Sequence, residues 1–130
     1  MAGDKSWTIR AVSDEGAGVA FYRREQALFL GGAQAASISP VEHLLIAAAG
    51  CLALSCRAAL AGTHRSRLEV IVLGRKAPEP PSRLARIDIA VRFGSEIDPV
   101  EARSIVEKAE KLCTVTNTLL TSVAIETSVR

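Results

Sequence analysis

Ser39-Pro40-Val41-Glu42-His43-Leu44-Leu45-Ile46-Ala47-Ala48-Ala49-Gly50-Cys51 is the stretch whose reading decides the fold. It opens with Ser at a helix N-cap, Pro at the first helical position and Glu at the third. In that arrangement the Ser oxygen accepts one orphan backbone N–H and the Glu carboxylate reaches back to another. Proline suits the site because its missing N–H would have had no partner. The spacing predicts a helix running to Ala61, with Gly62 as its stop. Leu44, Ala47, Ala48, Cys51, Leu54 and Ala58 fall on one face, and Leu45, Ala49, Leu52, Cys56 and Leu60 on another. A helix apolar over most of its circumference is buried on most sides. It is therefore a central helix, gripped by a sheet on one side and by a second cover on the other. In a chain of 130 residues, a partner subunit is a candidate for that cover.

The rest of the chain reads outward from this helix. Trp7 to Val12, Val19 to Arg23 and Gln26 to Leu30 are strand-like; Gly16-Ala17-Gly18 turns between the first two, and Gly31-Gly32 ends the third. Leu68 to Leu73 is apolar almost throughout, which suits a strand covered on both faces. Ala85, Ile87, Ile89, Val91 and Phe93 alternate with Arg86, Asp88, Ala90 and Arg92, the pattern of a half-exposed strand. Ala77-Pro78-Glu79-Pro80-Pro81-Ser82 between them reads as the loop of a long hairpin. Asp98-Pro99-Val100-Glu101 opens a second helix, with Ala102, Ile105/Val106, Ala109 and Leu112/Cys113 as its apolar stripe. Thr114-Val115-Thr116-Asn117 interrupts it, and Leu120 to Val129 is expected to end the chain as a strand. The order βββ-α-ββ-α-β describes one α+β domain over residues 1–130, an antiparallel sheet around a long central helix.

Composition narrows the function. The chain is 48% apolar and 23% charged, with a net charge of +2, as an ordinary folded domain would be. Its densest basic patch, His64-Arg65-Ser66-Arg67, has no interleaved aromatics, so no nucleic-acid partner is expected. The longest uncharged apolar run, Leu44 to Cys56, is well short of the roughly 20 residues that cross a bilayer, so no membrane partner is expected either. The polar start Met1-Ala2-Gly3-Asp4-Lys5-Ser6 and the three cysteines suggest a reducing, cytoplasmic setting. No Cys/His spacing suggests zinc, and no glycine-rich loop suggests a phosphate-bearing cofactor; neither metal nor cofactor is expected. His43 and His64 read as a helix-surface residue and a loop residue.

The cysteines remain. Cys51 lies within the central helix and Cys113 at the end of the second, each on an inward apolar stripe. Two helices on one core can bring such residues within disulfide reach, which demands a Cα separation of about 4.4–6.8 Å. A cysteine on an apolar stripe is equally well a small buried hydrophobe. Cys56, roughly 140° round the helix from Cys51, keeps that reading.

The wording around Cys51 and Cys113 resembles the OsmC/Ohr family. Ser39-Pro40-Val41-Glu42, an apolar small-residue run and then Cys51 is similar to its central-helix motif. Ala109-Glu110-Lys111-Leu112-Cys113-Thr114-Val115-Thr116-Asn117 is similar to its second motif, a helix ending in Cys-Pro-x-Ser-Asn, with Thr114 where Pro is common. The resemblance implies a homodimer, with its central helices packed together and active sites at the interface that reduce organic hydroperoxides. Cys51 would be the peroxidatic thiol, Cys113 the resolving thiol, and an external dithiol, often a lipoyl group, the reductant. It also implies an arginine held by the motif glutamate, which Glu42 matches in position. Arg10 is the nearest candidate for that arginine, with Arg23 and Arg24 behind it; the Gly-Gly-Arg-like frame of the peroxidase branch is missing.

Glu42 and Arg10 each carry a second reading, as a helix cap and as a solvent-facing strand residue. Glu42 also precedes Cys51 by nine positions, roughly 13.5 Å along the axis and on the opposite side. A catalytic Glu42 would thus serve the partner's Cys51, which favours a dimer. A non-catalytic protein of the same fold, binding a small apolar or thiol ligand or sensing redox state, is the alternative.

Overall fold

The computed structural model describes residues 5–13, 19–28, 38–60 and 67–130. The strands β1 (Ser6–Ser13), β2 (Ala20–Arg23), β3 (Gln26–Leu28), β4 (Leu68–Lys76) and β5 (Leu84–Phe93) form one antiparallel sheet in the order β3-β2-β1-β4-β5. Three helices join it: α1 (Pro40–Leu60), α2 (Pro99–Leu112) and α3 (Thr114–Leu120). This is the expected α+β architecture up to its last element.

Alternation along the central strands builds the core. Ile9 and Ala11 on β1 stand opposite Val72 and Val70 on β4, and all four are fully buried. They form one cluster with Leu45, Ala49, Leu52, Ala53, Cys56 and Leu60 of α1. The second predicted face of the central helix is therefore its core face. The first predicted face divides. Ala48 is buried and Cys51 half-buried, whereas Leu44, Ala47, Leu54 and Ala58 are exposed, with Leu54 at 55%. An open apolar stripe thus runs the length of α1 with Cys51 in its middle. By length and composition α1 could cross a membrane, but half of it is packed inside this chain.

The hairpin β4–β5 closes through residues 77–83, as the Pro-rich stretch implies, with the Ala77 N–H donating to the Arg83 carbonyl at 2.9 Å. Asp98 caps α2 by accepting from the N–H groups of Val100 and Glu101, both at 2.9 Å. Ile105 and Ala109 turn α2 inward, and Cys113 follows at its end, fully buried. The predicted turn at Gly16 to Gly18, the third strand's end at Phe29 to Gly32, the helix stop at Ala61 and Gly62, and His64 lie outside the described residues.

The end of the chain corrects the expected order. Thr114 to Leu120 is a third helix, and residues 121–130 carry neither helix nor strand pairing. The β-branched Thr114, Val115 and Thr116 disfavour helix only weakly. Here their hydroxyl neighbours turn inward on the helix itself: Thr118 donates to the Thr114 carbonyl at 2.7 Å, and Thr121 to the Asn117 carbonyl at 3.2 Å. The alternation of Val123, Ile125, Thr127 and Val129 is real, but a strand also needs a ladder partner. Within this chain the segment has none among the described residues, and all ten positions are exposed.

Gly50 lets the strand layer approach α1. A Cβ there would lie 2.9 Å from Cζ of the Phe21 ring on β2. Overpacking of this kind costs about 1–3 kcal/mol. Gly50→Ala is expected to lower the urea midpoint accordingly, and adding Phe21→Leu, which shortens the opposing side chain, is expected to recover part of the loss. Unfolding curves of the two variants check both steps.

Candidate functional site

Where α1 packs against α2 and α3, two thiols meet. Cys51 is half-buried on α1, and Cys113 is fully buried at the break between α2 and α3. Cys113 is the C-cap of one helix and the N-cap of the next, with φ −82 and ψ 96. An extended residue between two helices redirects the chain, and here it aims the side chain at α1. The Cys51 and Cys113 thiols lie close enough to perturb one another, and no disulfide joins them. The sequence-derived pair is thus assembled within one chain.

Burial pushes the Cys113 thiol above its ordinary value; hydrogen bonds from the Thr116 side chain and backbone oppose this, and neighbouring Cys51 adds to it. Thr116 was not among the sequence candidates. Its place three positions after Cys113 on a new helical turn is the signal, legible only once the helix break is known. Cys56 is also close to this pair but differs in kind. Burial pushes it up to about 12, with Cys113 and Glu110 adding and Arg57 opposing, so it is a protonated core thiol at neutral pH. The buried-hydrophobe reading of Cys56 fits that environment.

A second polar group sits at the start of α1. The capping box forms as read: the Glu42 N–H donates to Ser39 Oγ at 3.2 Å, and the Ser39 N–H donates to Glu42 Oε1 at 3.1 Å. The same carboxylate accepts from Arg23, 3.1 Å to Oε1 and 3.2 Å to Oε2. Glu42 is therefore both cap and arginine partner. Arg23 ends β2, and the two-residue turn at Arg24 and Glu25, with Arg24 at φ 57, sets it opposite Gln26. Gln26 Oε1 accepts from Arg23 at 2.8 Å and steadies the guanidinium from the other side. Arg10 is engaged elsewhere. It stacks over the Tyr22 ring, 4.4 Å from the centroid, and pairs with Glu69 at 3.7 Å. The arginine held by Glu42 is thus Arg23, and the hairpin register that puts it there was the signal available in the sequence. His43 is an exposed helix residue whose Nδ1 lies 2.9 Å from the Ser39 carbonyl.

A groove of about 890 Å³ lies beside the thiols rather than on them, between β5 and the α2–α3 pair. Leu52, Ile87, Ile89 and Val106 give it an apolar lining. Among the described residues, no cluster of three or more His, Cys, Asp or Glu side chains could hold a metal ion.

Comparison with known proteins agrees with this architecture. A family model described as OsmC-like protein matches residues 31–128. A crystal structure of an OsmC-like hydroperoxide resistance protein from Jannaschia sp. CCS1 is similar with a TM-score of 0.61 and 21% identity, covering 96% of this chain and 93% of that one. No curated protein matches the sequence.

Glu42 gives the arginine pair a pH signature. Burial raises its pKa, but the Ser39 backbone and hydroxyl and the Arg23 guanidinium outweigh burial and hold it below the ordinary value. A carboxylate so lowered stabilises the fold above its unfolded-state pKa, and that contribution is lost as pH falls through the folded one. Glu42→Gln is expected to cost on the order of 1–2 kcal/mol at neutral pH. The gap to wild type should close as the pH drops below the carboxylate range, which urea unfolding across an acid series measures.

Proposed function

The chain belongs to the OsmC-like protein family, and on that premise we propose that it reduces organic hydroperoxides through Cys51 and Cys113. The observation that carries the proposal is the proximity of a half-buried thiol on α1 to a fully buried one at the break between α2 and α3. The similar Jannaschia structure, an OsmC-like hydroperoxide resistance protein, supports a peroxide-related role.

In the first step the Cys51 thiolate attacks the distal peroxide oxygen. The O–O bond breaks, an S–O bond forms, and the alkoxide leaves as an alcohol after taking a proton. Cys51 becomes a sulfenic acid, the first rung of thiol oxidation. Next the Cys113 sulfur attacks the Cys51 sulfur; the S–O bond breaks, a disulfide forms, and the Cys113 proton leaves with the hydroxyl as water. Burial holds the Cys113 proton until the attack, and its transfer to the departing hydroxyl frees the sulfur as the nucleophile. An external dithiol then reduces the disulfide and is itself oxidised.

Only a thiolate is a competent nucleophile, and a nearby cation favours it. Cys51 is too deep in α1 for the helix dipole, whose influence fades within the first turn. We assign the cation to Arg23 in place of Arg10, because Arg23 is the guanidinium that Glu42 and Gln26 orient. Nine helical positions separate Glu42 from Cys51 on opposite sides of α1, so the pair would act on the Cys51 of a second copy. A homodimer built on the exposed stripe of Leu44, Ala47, Leu54 and Ala58 would bring it there.

Cumene hydroperoxide consumption driven by dihydrolipoamide tests this reading. Cys51→Ser should abolish turnover. Cys113→Ser should consume one peroxide per chain and stop at a sulfenic acid that dimedone traps. Arg23→Ala should lower kcat/KM by about 100-fold or more, the scale of losing one preorganised electrostatic group. Arg10→Ala should leave turnover nearly intact. Equal rates in wild type and Cys51→Ser would contradict the assignment.

A further inference from the structure

Opening a Cys51–Cys113 disulfide makes a demand that forming it does not. Cys113 has no exposed surface, whereas Cys51 is half-buried. In thiol–disulfide exchange, access helps decide which of the two sulfurs an incoming thiolate attacks. The reductant therefore meets Cys51, and Cys113 has to leave as a thiolate inside the protein. Burial opposes that charge. A thiolate leaves faster the better its charge is stabilised, so a group beside Cys113 has to receive it.

Thr116 is placed to be that group. Cys113 ends α2 and starts α3, and Thr116 follows three positions later on the first turn of the new helix. Its hydroxyl is part-buried and donates to the Cys113 carbonyl at 3.3 Å, a long bond. A threonine hydroxyl carries one proton and rotates to suit its acceptors. It serves the carbonyl while the sulfur is neutral and turns to the sulfur when the sulfur becomes charged. The shift that Thr116 exerts on the Cys113 thiol has the matching direction, against burial. The other neighbours are engaged or wrong in sign. Arg57, whose charge reaches Cys56, donates to Ser13 Oγ at 2.9 Å and to the Ser13 carbonyl at 2.7 Å. Glu110 carries the wrong charge to help a thiolate.

We propose that the Thr116 hydroxyl receives the Cys113 sulfur as a leaving group and thereby directs the reductant to Cys51. The proposal rests on the redox-pair reading above and adds the recycling half of the cycle. One thiolate of the external dithiol attacks the Cys51 sulfur, and the bond to Cys113 breaks. Cys113 departs as a thiolate held by the Thr116 O–H and takes the proton of the reductant's second thiol. That second sulfur attacks the reductant sulfur bound to Cys51 and displaces the Cys51 thiolate. The dithiol ends as a disulfide, oxidised by two electrons, and both protein sulfurs are reduced.

Oxidation of the full chain with diamide, which joins thiols without peroxide, isolates this half of the cycle. Single-turnover reduction by dihydrolipoamide should be about 10-fold slower in Thr116→Val, the scale of one hydrogen bond to a charged group. Thr116→Ser, which keeps the hydroxyl, should return the rate towards wild type. With glutathione as reductant and an acid quench, peptide mapping should find the mixed disulfide on Cys51. A wild-type rate in Thr116→Val, a loss that Thr116→Ser does not recover, or glutathione carried on Cys113 overturns the role of Thr116 and leaves the redox pair standing. Diamide that forms no Cys51–Cys113 disulfide overturns both.

Discussion

A 21-residue helix that is apolar around most of its circumference has to be covered on every side, and this requirement organises the rest of the structure. β1 and β4 cover the face of Leu45, Ala49 and Leu52 with fully buried Ile9, Ala11, Val70 and Val72. α2 and α3 cover a second side. A third side, from Leu44 to Ala58, stays open in the single chain. Cys51 lies where the covered and uncovered sides meet. On the proposed mechanism, a nucleophile there would be close to its resolving thiol and still near the surface from which a peroxide arrives.

The two thiols belong to unlike environments, and the difference follows from where each helix places them. Cys113 is buried at a helix break, and burial holds its proton. Cys51 stands on a stripe that a second copy would close. The ionic group built from Arg23 and Glu42 is held at the other end of α1 by a capping box, a hairpin turn and Gln26. One carboxylate therefore does two jobs. It satisfies an orphan N–H at the start of the helix that carries Cys51, and it orients a guanidinium. In the proposed dimer that guanidinium would serve the Cys51 of the second copy.

Much of this was legible in the residues. The Ser39-Pro40-Val41-Glu42 start is a local signal, and it formed as read. The core face of the central helix and the hairpin across the Pro-rich loop follow from periodicity and turn composition, and the pairing of Cys51 with Cys113 from the family resemblance. Arg23 was harder, because its role depends on which strand residue the hairpin register sets beside the helix start, a nonlocal fact. Arg10 is the nearer candidate in sequence, but cross-strand packing gives it Tyr22 and Glu69. The expected last strand failed for another reason. Alternation at Val123 to Val129 encodes a strand's face but not its partner, and the chain holds no vacant partner that this segment has taken. Thr114 to Leu120 is a helix because its β-branched residues oppose that state only weakly.

The central claim is that Cys51 and Cys113 form one redox pair with Cys56 outside it. Peptide mapping after a single equivalent of cumene hydroperoxide, with free thiols alkylated under denaturing conditions, tests it most directly. The predicted product is a disulfide joining the Cys51 and Cys113 peptides, with Cys56 recovered as the alkylated thiol. A Cys56 disulfide, or a Cys51 carried on to sulfinic acid while Cys113 stays free, would contradict it.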